Sequence, residues 1–222
     1  SNKLRVVDNK NIDTKDVVIY AEQHAQDSHR QARRRIMVLV ESPEFHKCYY
    51  DYISSRMNEY DLVLTFHRPF LERNLPNVKL NLYGTTWIPN GKRKIYDKSK
   101  ECSMIASNKR WTSGHRLRHS IIDSILKDKM QVDLYGGRFN NLPAECNAKI
   151  IGLQDYRFSI TVENCREDYY FTEKLIDCFL TGTVPLYWGC PSIGNFFNAK
   201  GMLCFKDKEH CLSFIPLLIV VS

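Results

Sequence analysis

Apolar residues along this chain fall into short bursts, with longer polar or amphipathic stretches between them. "DVVIYAE" (16–22) and "RIMVLVES" (35–42) contain β-branched runs of a length suited to buried strands, with a polar, helical or looped stretch between them. After Pro43, "FHKCYYDYISSRMNEY" places its apolar residues at helical spacing, and "DLVLTFH" (61–67) and "VKLNLYG" (78–84) read as two further strands. Strand and helix alternate, as in a parallel sheet with crossover helices. Residues 1–15 are polar without a period and read as an arm.

The alternation then stops and restarts. "PNGKRKIYDKSKE" (89–101) combines a Pro-Asn-Gly turn with a charge run, so a linker is expected over 91–101, between a first domain (16–90) and a second (102–222). The second half opens with "CSMIASN" (102–108) as a strand. "SGHRLRHSIIDSILKDK" (113–129) follows as an amphipathic helix whose apolar face is Leu117, Ile121, Ile122 and Ile125. "QVDLYGG" (131–137), "YRFSITVEN" (156–164), "TVPLYWG" (183–189) and "GMLCFK" (201–206) supply more strands, with a helix from about Thr172. The expected fold is two α/β domains with mostly parallel sheets and a cleft between them.

Ligands of open α/β sheets bind beyond the carboxyl ends of the strands. That rule selects Glu163 and Asn164, which end a strand, and Thr172, Glu173 and Lys174, which open the next helix. Free amide donors and the positive dipole end of a helix favour an anion there. A carboxylate accepts from both hydroxyls of a ribose while an ammonium meets phosphate, so Glu173 with Lys174 suits a nucleoside diphosphate. Ordinary capping explains a threonine followed by a glutamate equally well. It does not explain Lys174, whose charge opposes the dipole.

Composition narrows the alternatives. A hydrophobic share of 43% and a charged share of 26% are those of a globular protein. Part of the net charge of +7 lies in "HRQARRR" (29–35) and "GKRKIYDKSK" (91–100). Neither cluster has the aromatic interleaving of a single-strand platform, so nucleic acid is not the expected partner. The eight cysteines include no C-x-x-C pair, which argues against a zinc ribbon and for small buried thiols in a reducing compartment. The longest apolar run, "FIPLLIVV" (214–221), is too short to span a membrane. With no secretory signal read either, a cytoplasmic protein or a soluble piece of a larger one is expected. His115 and His119 have helical zinc-ligand spacing but lack the intervening glutamate of H-E-x-x-H, and no Asp-x-Asp stands at a strand end to hold a divalent ion.

The segment "YRFSITVENCREDYYFTEKLIDCFLTGTVPLYWGCPSIGNFF" resembles glycosyltransferase family 10, the α-1,3-fucosyltransferases, whose motif reads Y-K-F-x-x-x-x-E-N, then Y-V-T-E-K, then V-P-[VI]-Y-[YW]-G-x-P. Phe171 replaces the valine before Thr172; "ASNKR…GHRLRHSIIDSI…VDLYGG" is similar as well, and "VLVESPEF" and "LVLTFHR" weakly so. The first half is short for the family. The resemblance implies a GT-B enzyme with two Rossmann-like domains and an interdomain cleft, inverting the sugar carbon without a bound metal. It implies a nucleotide sugar, GDP-fucose above all, as donor and a glycan as acceptor. Glu173 then corresponds to the ribose-binding carboxylate, Lys174 to the diphosphate lysine, Tyr170 and Asn164 to donor contacts with Glu163 beside them, and Arg118 or its rival Arg116 to the arginine at the leaving diphosphate. Glu41 corresponds to the general base. Another nucleotide sugar, or a non-catalytic module that kept the donor domain, is the alternative.

Overall fold

A computed structural model describes residues 17–26, 32–82, 84–137, 139, 142 and 148–219. The expected polar arm and part of the first basic cluster lie outside them. The chain divides into two compact units, one ending at Leu82 and the other comprising the rest.

In the first unit four parallel strands lie in sequence order: β1 (Val17–Ala21), β2 (Arg34–Val38), β3 (Leu62–Thr65) and β4 (Val78–Leu80). Helix α1 (Pro43–Ser54) starts with proline, whose fixed φ suits a first turn. It is kinked at His46 and buries Tyr50 and Ile53. They join Met37, Leu39, Val63 and Phe70, the last from the short α2 (Arg68–Leu71), in one apolar core. The expected alternation of strand and helix is present.

The second unit carries five parallel strands, β5 (Lys100–Ile105), β6 (Asp133–Tyr135), β7 (Tyr156–Val162), β8 (Val184–Trp188) and β9 (Leu203–Cys204), in the order β6-β5-β7-β8-β9. Ile121, Ile122 and Ile125 of α3 (Ser113–Lys127) pack into its core beside Cys211, Ile215 and Leu218 of α5 (Lys208–Ile219). The C-terminal apolar run is therefore in part a core helix, and the buried residues of α5 are spaced four and three apart. Helix α4 (Glu173–Thr181) packs through Leu175 and Cys178.

The stretch expected as a linker, 91–101, lies inside the second unit. Lys98 Nζ donates to the carbonyls of Leu153, Gln154 and Thr181 and to Thr183 Oγ1, at 2.8–3.2 Å. The same charge run that reads as solvated surface includes an ammonium clamped by four oxygens, and β5 begins at Lys100. Going from β5 to β6 and from β5 to β7 moves in opposite directions across the sheet, which creates a topological switch point between β5 and β7. The first sheet, among its described strands, has none.

Candidate functional site

The ends of β5 and β7 lead to the starts of α3 and α4, and there the sequence-derived residues of the second unit gather. Glu163 follows β7 and is fully buried. Its carboxylate accepts from the Thr172 backbone N–H at 2.8 Å and from Thr172 Oγ1 at 2.6 Å. Thr172 Oγ1 accepts in turn from Lys174 Nζ at 3.0 Å, and Lys174 Nζ lies 3.6 Å from Glu163 Oε2. Glu163 is thus the anchor of the helix start: it fixes the N-cap that fixes Lys174.

Two glycines make this burial possible. A Cβ on Gly114 would lie 1.8 Å from the Glu163 carbonyl oxygen, and one on Gly189 would lie 2.5 Å from Glu163 Cγ. Gly114 belongs to the first turn of α3 and donates its N–H to the Asn164 carbonyl at 3.0 Å. Helix α3 therefore abuts the end of β7 with no side chain between them.

That contact separates the two candidate arginines. Arg118 is buried; its Nε donates to the Val162 carbonyl at 2.9 Å and an Nη to Asn164 Oδ1 at 2.9 Å. Arg116 is exposed, with an Nη on the Trp111 carbonyl at 3.2 Å. The positive charge next to the strand end is Arg118. His115 records the local field: burial, then the charges of Arg118, Lys109 and Lys174, push its pKa down to about 4. It serves as an N-cap partner, with Thr112 Oγ1 and His115 Nδ1 2.7 Å apart, while His119 Nε2 donates to the Lys109 carbonyl at 3.1 Å. Both histidines are structural, and among the described residues no group of three His, Cys, Asp or Glu could hold a metal.

Glu173 and Lys174 point to different neighbours, as adjacent helical residues must. Glu173 Oε1 lies 3.1 Å from Lys149 Nζ and 3.3 Å from Lys174 Nζ. Burial would raise its pKa, but the charges of Lys174 and Lys149 outweigh that and hold it at about 2. The carboxylate is therefore ionised at any physiological pH. Tyr170 is buried, because Tyr169 adopts a left-handed φ of 65° that turns the chain inward. Phe171 enters the apolar cluster with Leu175 and Tyr187, so the substitution in the family motif is a core residue.

In the first unit Glu41 stands just past β2, partly exposed, before the Pro43 turn. Its N–H donates to the buried carboxylate of Glu22 at 2.9 Å, as does that of Val40 at 3.1 Å, and its carbonyl accepts from Tyr50 at 2.8 Å. The backbone that presents Glu41 is held by three hydrogen bonds, two to Glu22 and one from Tyr50.

Sequence reasoning missed Glu22, Lys149, Trp87 and Asp177. Asp177 offered a signal, being a lone carboxylate in the apolar stretch of α4, four residues from Glu173. It is buried; Oδ1 accepts from Thr86 Oγ1 at 2.6 Å and from the Trp87 N–H at 3.0 Å, while Oδ2 has no hydrogen-bond partner among the described residues. Lys149 had no signal, since nothing local marks which lysine of a basic chain will meet a distant carboxylate.

Comparison with known proteins agrees with this architecture. Two solved structures of α1,3-fucosyltransferase, the second with GDP-fucose, superpose with TM-scores of 0.57 and 0.56 at 21% identity, over 85% and 83% of this chain and 62% of theirs. The fold is therefore the GT-B type of those transferases. Residues 95–203 match the family model for glycosyltransferase family 10 (fucosyltransferase), C-terminal part. That match spans most of the second unit, which is similar to glycosyltransferase family 10. The chain is also 36% identical over 69 residues to the α-(1,3)-fucosyltransferase FucT of Helicobacter pylori and 33% identical over 93 residues to a fucosyltransferase-like protein of Arabidopsis thaliana. These stretches cover 30% and 41% of this chain but only 14% and 18% of those proteins.

Proposed function

We propose that this protein is an inverting fucosyltransferase that moves fucose from GDP-fucose to a glycan hydroxyl, with side chains and helix dipoles in place of a metal. The observation that carries the proposal is the start of α4 at the switch point, where an ionised Glu173 and the Lys174 ammonium stand side by side above a buried anchor. Supporting it are the family match of the second unit and GDP-fucose in a structural neighbour.

In this reading Glu173 accepts the ribose hydroxyls, and Lys174 donates to the diphosphate. Arg118 adds positive charge beneath, through Asn164, and Tyr170 walls the site. Glu41 takes the proton from the acceptor hydroxyl as its oxygen bonds to the anomeric carbon; the bond from that carbon to the diphosphate oxygen breaks on the opposite face. The charge left on GDP falls to Lys174 and the dipole of α4.

The test is GDP release from GDP-fucose with glycan acceptors, for the wild type and Glu41→Ala. Loss of the base should lower turnover by about 10²–10⁴-fold with GDP affinity unchanged. Turnover equal to that of the wild type would remove Glu41 from the chemistry. No turnover in either protein, with GDP bound, would favour a binding module.

A further inference from the structure

Resting on the donor-site reading, one question arises from the charge count around Glu173. Lys174 Nζ is shared among Thr172 Oγ1, Glu173 and Glu163. If it turns to a diphosphate, Glu173 loses one of its two ammonium partners at the moment when it must stay ionised and oriented. Lys149 is the other ammonium on the same oxygen, at 3.1 Å, and it comes from a different element, the 3₁₀ turn Ala148–Gly152.

Lys149 is itself located. Its Nζ lies 5.5 Å from the centre of the Trp87 ring, within the range of a cation–π contact. Trp87 is pinned to α4 by Asp177, one turn beyond Glu173, through its own N–H and the Thr86 hydroxyl. The contacts form a closed circuit: α4 holds Trp87 through Asp177, Trp87 holds Lys149, and Lys149 holds Glu173 on α4. The hydrogen-bonded oxygen of the buried Asp177 is taken up by Thr86 and Trp87, which fixes Trp87 against α4.

We propose that Lys149 is the positioning residue for ribose recognition: it keeps the Glu173 carboxylate oriented toward the sugar hydroxyls while Lys174 engages the diphosphate. Lys149 touches neither group of the ligand; it acts through Glu173. The ligand class it selects is a nucleoside diphosphate with an intact ribose, over a deoxynucleotide or a bare diphosphate.

The experiment is calorimetric titration of the full chain with GDP, 2′,3′-dideoxy-GDP and inorganic pyrophosphate, for wild type, Lys149→Met and Lys149→Arg. Wild type should prefer GDP to the dideoxy compound by about tenfold or more, the scale of a hydrogen bond to a charged group. Lys149→Met should lose most of that ratio while keeping pyrophosphate affinity within about twofold, and Lys149→Arg should restore it. A Lys149→Met ratio equal to that of wild type overturns the inference, as does an equal loss for GDP and pyrophosphate. If wild type binds none of the three, the donor-site reading falls first and the inference with it.

Discussion

Replacing Glu163 by glutamine changes one atom in the anchor of α4, and its cost can be worked from the contacts. The carboxylate accepts two hydrogen bonds, from the Thr172 N–H and its hydroxyl, with Lys174 Nζ 3.6 Å away. Glutamine keeps one acceptor and turns an NH₂ toward the other donor. The Thr172 hydroxyl can rotate to accept, so both bonds become neutral and the ion pair with Lys174 is lost; charge-assisted bonds contribute about 1.5–3 kcal/mol each. With full burial leaving no water to compensate, a loss of about 2–3 kcal/mol is expected, or roughly 5–10 °C in Tm for a protein of this size. Thermal unfolding of wild type, Glu163→Gln, Thr172→Val and the double variant measures it. The cycle should show coupling of at least about 1 kcal/mol, because the residues share the bond being removed. Additive losses, or a Tm shift under 2 °C for Glu163→Gln, would refute the anchor.

The other expectations concern geometry, charge and metal. Gly114→Ala should destabilise by more than about 2 kcal/mol, since its Cβ would meet backbone at 1.8 Å, whereas Gly91→Ala, with nothing within 4 Å, should change stability by less than about 0.5 kcal/mol; denaturant titration compares them. Glu173 has a folded pKa of about 2, below its model-peptide value of 4.5, so its stabilising contribution is complete above pH 4.5 and is lost as pH falls toward 2. Glu173→Gln should therefore flatten the stability profile between those limits, and an unchanged profile would contradict the ion pairs. Chelation should leave fucosyl transfer intact, and full loss restored by manganese would overturn the metal-free reading.

Much of the residue cluster at the start of α4 was legible in the sequence because its signals are local. Glu163-Asn164 at a strand end and Thr172-Glu173-Lys174 at a helix start need only periodicity and cap chemistry to be placed. The register of α3 was the ambiguous part: both Arg116 and Arg118 flank Leu117, and only the docking of Gly114 on the β7 end shows which one faces inward. Lys98 and Lys149 were not legible for a related reason. Each acts through long-range contacts, with oxygens 55–85 residues away in one case and a carboxylate 24 residues away in the other. The contacts of Lys98 inside 91–101 were hidden for the same reason, because a charge run reads as solvated until its partners are known. The core role of "FIPLLIVV" was hidden similarly, since a short apolar run looks alike as strand or helix until it has a sheet to cover.

The central claim is that the start of α4 seats a nucleoside diphosphate, and the most direct test is calorimetric titration of GDP into wild type and Lys174→Ala at low and moderate salt. Wild type should bind with a single site, and Lys174→Ala should weaken binding at least about tenfold, as loss of a charge-assisted bond requires. Equal GDP affinity in the two proteins would contradict it.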